Sequence, residues 1–114
     1  MELVKQQSIF AYNVALLISY IFHRQYTCTL GEAYRTKEQA EIYAKEGLGI
    51  VDSLHCQRMA IDLNIFDPRG NLLTKTEEYK IFGEYWEKLH SLNNWGGNFK
   101  REDADHFEMG LPKK

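Results

Sequence analysis

The sequence predicts an α+β domain in which helices pack on one face of a small antiparallel sheet. Two segments, 3–23 and 76–92, repeat apolar residues with helical spacing, whereas segment 59–66 alternates apolar and polar residues as a strand does. The 114 residues suit one domain, and the 44% hydrophobic content is that of an ordinary globular core. We therefore expect residues 1–114 to form a single domain, without a second domain.

The N-terminal part is predicted to form a helix over residues 3–23 and then a strand over residues 26–33. The helix follows from the spacing of its apolar residues, which are Phe10, Val14, Leu17, Ile18, Ile21 and Phe22. The strand is favoured by Tyr26 and the threonines after it, which prefer extended backbone. Gly31 within this strand indicates a bulge or the close approach of another segment.

The middle of the chain contains a helix start and a second strand. Thr36 followed three residues later by Gln39 is a capping-box pattern, so we predict a helix over residues 36–45. Residues 50–57 are predicted as a loop that leads into the strand at 59–66.

The C-terminal part is predicted to form a turn, a helix and a last strand. Residues 67–71 combine aspartate, proline, glycine and asparagine, which is typical of a turn. The helix over residues 76–92 has one aromatic and aliphatic side, formed by Tyr79, Phe82, Trp86 and Leu89. The Trp-Gly-Gly sequence at 95–97 predicts a tight connection, and residues 106–109 predict a short strand.

Composition and charge exclude several classes of function. The formal net charge is -2 and there is no basic stripe, so nucleic acid is not an expected partner. The apolar run 8–22 is too short and too polar for a membrane span, and it lacks the basic lead and cleavage site of a signal peptide. We expect a monomer that is made in the cytoplasm. Cys28 and Cys56 are expected to be reduced thiols, with a disulfide between them as the alternative.

A metal-ligand set is suggested by two histidines and an aspartate. Alternation along the strand at 59–66 turns Asp62 away from the core face. If the last strand is its neighbour, His106 stands beside Asp62, and His55 in the preceding loop closes a third corner. Two imidazoles and a carboxylate are the ligands of a catalytic zinc ion that keeps one position open for water. The alternative is three ordinary polar residues and no metal.

A catalytic zinc ion lowers the pKa of water to about 7, but hydrolysis still needs a base that accepts the proton and passes it to the leaving group. Asp103 is the candidate base, because it lies three residues before His106. Glu102, Asp105 and Glu108 are its local rivals.

These residues resemble the LAS-type zinc peptidases, a family that includes D-alanyl-D-alanine carboxypeptidases, vancomycin-resistance D,D-dipeptidases and phage L-alanyl-D-glutamate endopeptidases. The family pattern begins with Ser-x-His, six residues and Asp, which Ser53-Leu54-His55 and Asp62 match. It continues with an acid, two residues, His and an aromatic, which Asp103 and His106-Phe107 match. The Trp-Gly-Gly approach and an aspartate at position 103 are similar to the phage endolysin branch.

The resemblance implies the fold that these peptidases share with hedgehog signalling domains. It also implies zinc as the cofactor, held by His55, Asp62 and His106, with Asp103 as the general base.

Substrate-binding residues are implied in the same way. Arg35 matches an arginine that holds the substrate carbonyl or its developing oxyanion, a role that suits a planar and always charged donor. Ser53 is expected to form hydrogen bonds near the site or to the substrate. Many family members have glycine where this chain has Arg58, which leaves the shape of that loop open and gives an arginine that could contact an anionic group of the substrate.

The activity implied by the resemblance is hydrolysis of the peptidoglycan stem peptide. We expect a phage endolysin that cleaves the L-Ala–D-Glu bond and reaches the cell wall when the membrane is opened. A D-alanyl-D-alanine carboxypeptidase or dipeptidase is the first alternative, because the same zinc chemistry serves both. A zinc-bearing binding module without hydrolysis is the second, and the retained Asp103 argues against it.

Overall fold

Residues 2–50 and 53–111, which the computed structural model describes, fold into three α-helices and a four-stranded antiparallel sheet. This confirms the predicted fold class. In chain order the elements are α1 (Leu3–His23), β1 (Thr27–Leu30), α2 (Lys37–Lys45), β2 (Ala60–Phe66), α3 (Thr76–Leu89), β3 (Asn93–Trp95) and β4 (His106–Met109). Short 3-10 turns, Leu54–Gln57 and Gly96–Asn98, precede β2 and follow β3.

The sheet has the strand order β1-β2-β4-β3, with each neighbouring pair antiparallel. On central strand β2, Ile61, Leu63 and Ile65 are buried in the core. Asp62 lies on the opposite face and pairs directly with His106 of β4. The predicted alternation and the predicted neighbouring strands are therefore both confirmed.

Helices α1 and α3 form the other wall of the core. Phe10 of α1 meets Trp86 of α3 edge to face at 5.6 Å between ring centroids, and Trp86 lies 6.1 Å from Phe107 of β4. The indole Nε1 of Trp86 donates a hydrogen bond of 2.9 Å to the carbonyl of Glu108, so its polar edge is satisfied while its rings are buried. This packing holds β4, the strand that carries His106, against a helix.

Three element boundaries differ from the prediction. Strand β1 is shorter than residues 26–33, because Gly31 passes so close to β2 that a Cβ there would lie 2.9 Å from the carbonyl oxygen of Asp62. The predicted close approach at this glycine is thus confirmed. Helix α3 ends at Leu89, earlier than predicted. The segment that ends at Trp95 forms edge strand β3, where the sequence predicted only a tight connection. The strand was missed because three residues are too few to show alternation.

Helix α2 begins where the sequence places its cap, because the Thr36 hydroxyl accepts a 3.0 Å hydrogen bond from the backbone N–H of Gln39. Of the loop predicted over residues 50–57, positions 51 and 52 lie outside the described residues, and the part from 54 to 57 forms a 3-10 turn. Cys28 and Cys56 are both free thiols, as predicted. Within the described parts of the chain, no helix is long and apolar enough to cross a bilayer.

Candidate active site

The structure brings together the three predicted metal ligands from three different elements. His55 comes from the 3-10 turn before β2, Asp62 from β2 and His106 from β4. The Nε2 atom of His55 lies 3.3 Å from Asp62 Oδ1, and the Nδ1 atom of His106 lies 3.2 Å from the same oxygen. One ligand atom from each residue lies within 4.8 Å of the other two. These three residues are therefore positioned to bind a single metal ion.

Local backbone contacts explain why His55 faces this point. The Ser53 hydroxyl accepts a 3.2 Å hydrogen bond from the backbone N–H of His55 and so caps the turn at its start. The turn closes where the N–H of Met59 bonds to the carbonyl of Leu54 at 3.0 Å. The His55 side chain is only 3% exposed. Ser53 thus contributes to the site by shaping the turn that presents His55.

A second close approach positions the segment before β4. A Cβ on Gly96 would lie 2.1 Å from the carbonyl oxygen of Asp103 and 2.9 Å from the Cβ of His106. The N–H of Asp103 donates to the Gly96 carbonyl at 2.9 Å. Only glycine allows the chain to return this tightly, so Gly96 sets where the candidate base and the last ligand stand.

The electrostatics of the three ligands are strongly coupled. Burial alone would raise the pKa of Asp62, but hydrogen bonds and charge from His106 and His55 outweigh it and lower that pKa to about 2. Burial likewise would lower the pKa of His106, but hydrogen bonds to Asp62 and Glu108 and their charges raise it to about 9. Asp62 and His106 therefore each stabilise the charged form of the other.

The donor set fits a metal ion with zinc-like preferences. His106 points Nδ1 at Asp62 and holds its other nitrogen, Nε2, 2.7 Å from Glu108 Oε1. His55 points Nε2 at Asp62, and its Nδ1 is buried without a hydrogen-bond partner, 3.7 Å from Glu32 Oε1. A carboxylate behind each ligating histidine is the usual outer arrangement of a zinc site. Two nitrogens and one oxygen also leave a fourth position open.

Beside these ligands lies a cleft of about 660 Å3, whose polar lining includes Arg35, Ser53 and Asp103. The Arg35 side chain is 14% exposed, and its Nη2 forms an ion pair with Glu32 at 2.5 Å. Its guanidinium also lies 4.9 Å from the ring centre of Tyr43. The structure thus places Arg35 in the same cleft as the ligand group, on the side of β1 and α2.

Asp103, the candidate base, lines the cleft beside the candidate ligands. Its side chain is 56% exposed and its Oδ2 lies 3.9 Å from His106 Nδ1. Of its rivals, Glu102 accepts a 2.9 Å hydrogen bond from Thr76 and Glu108 contacts His106. Asp105 is half-buried. Its burial, its hydrogen bond to Asp103 and the negative charges nearby raise its pKa to about 7.

The guanidinium of Arg58 stacks 4.0 Å over the ring centre of Tyr34, and Arg58 is not among the residues that line the cleft. Its contact with the substrate stays a prediction. Its backbone is left-handed, with φ 55° and ψ 36°, and it ends the turn that carries His55. Glycine adopts these angles without strain, which explains its frequency at this position in the family that the sequence resembles.

Other residues in or behind the cleft were not identified from the sequence. Glu32 contacts Arg35, and the ring of Phe99 lies 5.6 Å from that of His106. The exposed apolar side chains of Leu48 and Ile50 also line the cleft. Glu32 could have been suggested by its place three residues before a candidate arginine. The others lie in irregular segments that have no periodicity to interpret.

Comparisons with known proteins agree with this geometry. A family model described as D-alanyl-D-alanine carboxypeptidase matches residues 49–109. The solved structure of the Serratia marcescens L-Ala D-Glu endopeptidase ChiX is similar with a TM-score of 0.73, covering 89% of this chain and 77% of that chain at 18% sequence identity. At this identity the likeness shows a shared fold. No curated protein matches the chain in a sequence search. Since the family match spans more than half of the 114 residues and includes all three candidate ligands, the chain belongs to the D-alanyl-D-alanine carboxypeptidase family of peptidases.

Proposed function

We propose that this protein is a zinc-dependent peptidase that cleaves the L-Ala–D-Glu bond of the peptidoglycan stem peptide, and that it serves a phage as an endolysin. The observation that carries the proposal is the convergence of His55, Asp62 and His106 beside Asp103, in a cleft that also contains Arg35. This is a complete set of metal ligands, base and oxyanion donor. The shared fold with an L-Ala D-Glu endopeptidase supports the choice of bond.

In this proposal His55, Asp62 and His106 hold the zinc ion, which supplies Lewis acidity and lowers the pKa of water to about 7. Asp103 accepts the proton of the attacking water and donates it to the leaving amine. Its carboxylate is exposed in the cleft, 3.9 Å from His106 Nδ1, which supports this role. Arg35 donates hydrogen bonds to the scissile carbonyl oxygen as negative charge develops there. Glu32 and the ring of Tyr43 keep this guanidinium in place.

The substrate chemistry suits a cleft of this charge. In the stem peptide D-Glu continues through its side chain, so a free carboxylate lies next to the scissile nitrogen. Arg35 and Arg101 both line the cleft and carry positive charge that attracts such a group. Arg101 has no acidic ion-pair partner among the described residues, and its guanidinium donates to the carbonyl of Gly47 at 2.8 Å. The apolar side chains of Leu48 and Ile50 can cover the alanine side of the substrate.

A D-alanyl-D-alanine carboxypeptidase is the second candidate, because the matching family model carries that description. Its substrate also ends in a free carboxylate beside the scissile bond, so the same arginines would serve. The two activities release different products, and products therefore decide between them.

The test is digestion of permeabilised Gram-negative cells and purified peptidoglycan, followed by turbidity and by mass spectrometry of the fragments. Native protein, chelator-treated protein and chelated protein with zinc restored are compared. We expect zinc-dependent loss of turbidity and fragments with new D-Glu amino termini. Release of terminal D-Ala alone would support the carboxypeptidase. Absence of both products from zinc-loaded protein would refute the peptidase proposal.

The endolysin role has its own test, expression in Gram-negative cells with and without an agent that opens the inner membrane. We expect lysis only when the membrane is opened. Cells that stay intact after opening, although the purified protein digests peptidoglycan, would contradict this role and leave the peptidase.

A further inference from the structure

Glu32 lies behind the candidate zinc site, just after β1, and its backbone is fixed to the strand that carries Asp62. The N–H of Asp62 donates a 3.0 Å hydrogen bond to the carbonyl of Glu32. The side chain then turns toward two residues with different roles. Its Oε1 lies 2.5 Å from Arg35 Nη2 and 3.7 Å from His55 Nδ1. One carboxylate oxygen thus faces both a candidate substrate-binding arginine and a candidate zinc ligand.

Hydrogen bonding within this group is incomplete in a way that points to its role. Glu32 Oε1, Arg35 Nε and His55 Nδ1 are all buried, and none has a hydrogen-bond partner. Although Arg35 Nη2 forms an ion pair with Glu32 Oε1, its N–H groups are not aligned for a hydrogen bond to that oxygen. Buried polar atoms are normally paired. The nearest acceptor for a proton on His55 Nδ1 is the Glu32 carboxylate.

We infer that Glu32 is a positioning residue, which accepts the Nδ1–H of His55 and so keeps Nε2 free to bind the metal. A neutral imidazole carries its proton on one nitrogen, and the hydrogen bond at that nitrogen decides which one it is. Glu108 plays the corresponding part for His106, whose Nε2 it contacts at 2.7 Å. At 3.7 Å from His55 Nδ1, Glu32 Oε1 is within a small side-chain movement of hydrogen-bond length.

The same carboxylate holds Arg35, so Glu32 couples metal binding to substrate binding. The ion pair fixes the guanidinium in the cleft, and the backbone N–H of Arg35 bonds to the carbonyl of His55 at 3.2 Å. A change at Glu32 is therefore expected to weaken both zinc affinity and transition-state stabilisation. This second effect rests on the proposed function, whereas the effect on zinc does not.

The experiment measures zinc affinity by competition with a chromophoric chelator for the native protein, Glu32→Gln, Glu32→Asp and the control Glu38→Gln. Glu38 is an exposed acid on α2, so its variant makes the same change of net charge away from the site. Loss of an outer partner of a metal ligand typically costs 10–100-fold in affinity. We expect a loss of about this size for Glu32→Gln, a smaller loss for Glu32→Asp, and no change for the control. Affinity of Glu32→Gln within about twofold of native protein would overturn the inference.

A second readout needs no turnover. Proton and nitrogen-15 NMR of the imidazole rings in zinc-loaded native protein reports whether the Nδ1–H of His55 is hydrogen-bonded. We expect a downfield, slowly exchanging Nδ1–H, and an upfield shift with faster exchange in Glu32→Gln. An upfield, rapidly exchanging Nδ1–H in the native protein would overturn the inference even if Glu32→Gln failed to fold. If both readouts agree with expectation while no stem-peptide bond is cleaved, the positioning role stands and the proposed peptidase function fails.

At saturating zinc, the kcat/KM of Glu32→Gln separates the two effects. We expect it to stay below the native value because Arg35 is no longer held. Full recovery of kcat/KM at saturating zinc would show that Glu32 acts on the metal alone and would overturn the coupling to Arg35.

Discussion

The indole of Trp95 connects helix α3 to the segment that carries the catalytic candidates. A Cβ added to Gly83 of α3 would lie 2.0 Å from Trp95 Cδ2, and one added to Gly97 would lie 2.1 Å from Trp95 Cζ2. The ring's Nε1 donates a 2.7 Å hydrogen bond to the carbonyl of Ala104. Because the ring is confined between two glycines and bonded beyond them, it cannot move without disturbing the backbone that leads to His106.

Gly83→Ala tests this arrangement through two effects of opposite sign. Alanine in a helix interior is favoured over glycine by about 0.5–1 kcal/mol. Against this, Trp95 must retreat by the difference between 2.0 Å and an ordinary 3.4 Å contact, and Trp95 is only 3% exposed. Such overpacking costs about 1–3 kcal/mol, and a clash with three ring atoms belongs at the upper end. We expect a net loss of about 2 kcal/mol, which lowers the melting temperature of a domain of this size by roughly 8 °C.

The assay is thermal unfolding of the metal-free protein, with Gly110→Ala as the matched control. Gly110 is a second glycine that becomes alanine, but its nearest neighbour, the carbonyl oxygen of Leu92, is 3.6 Å away, an ordinary contact. The clash is isolated by repeating Gly83→Ala in a Trp95→Phe background, where the smaller ring should remove most of its cost. A melting temperature that rises in Gly83→Ala, or an equal cost in both backgrounds, would refute the reasoning.

Four further predictions concern the site and the turn before β2. Replacing Asp103 with alanine should keep zinc bound but lower kcat by about 10²–10⁴-fold, and unchanged turnover in the zinc-loaded variant would exclude it as the base. In metal-free protein the raised pKa of His106, about 9 against an unfolded 6.5, contributes stability that is complete below pH 6.5 and is lost as pH rises through 9. The lowered pKa of Asp62, about 2, contributes stability that is present above pH 3.8 and is lost as pH falls toward 2. Denaturant titrations in the presence of chelator check the prediction for His106 at pH 6, 8 and 10 and the prediction for Asp62 at pH 5, 3.5 and 2.5. If the pH dependence of stability is the same in His106→Gln, or in Asp62→Asn, as in the native protein, the corresponding prediction is contradicted. Arg58→Gly relieves left-handed backbone strain of about 1–2 kcal/mol and loses a cation–π contact with Tyr34 of about 0.5–1 kcal/mol. The melting temperature should therefore rise slightly, and a clear fall would contradict this balance.

The grouping of the candidate metal ligands could be predicted because strand alternation carries long-range information. Ile61, Leu63 and Ile65 must face the core, which forces Asp62 to the other face and leaves few registers for its neighbour. Once β4 pairs with β2, His106 stands opposite Asp62 without further assumptions. The periodic segments therefore determined the pairing of the two central strands and the approach of Asp62 to His106, but not edge strand β3.

The cleft walls could not be predicted in this way, because they come from segments without periodicity. Leu48, Ile50 and Phe99 reach the cleft through turns whose course depends on contacts distant in sequence. One such contact joins Arg101 to the carbonyl of Gly47 at 2.8 Å. Neither residue has a local pattern that indicates the other, so the pair becomes visible only after the chain has folded.

Arg58 occupies a position where the backbone and the side chain carry separate information. From sequence, an arginine beside a candidate active site suggests contact with an anionic substrate, and its replacement of a common glycine leaves the loop shape open. In the structure the backbone is left-handed at this position, with arginine adopting the angles that glycine favours and its guanidinium stacked on Tyr34. The turn therefore carries local strain, and Arg58 is not among the residues that line the cleft. This position constrains the backbone of the turn before β2 and not the chemistry of the side chain. Because arginine adopts the required backbone angles, His55 reaches Asp62.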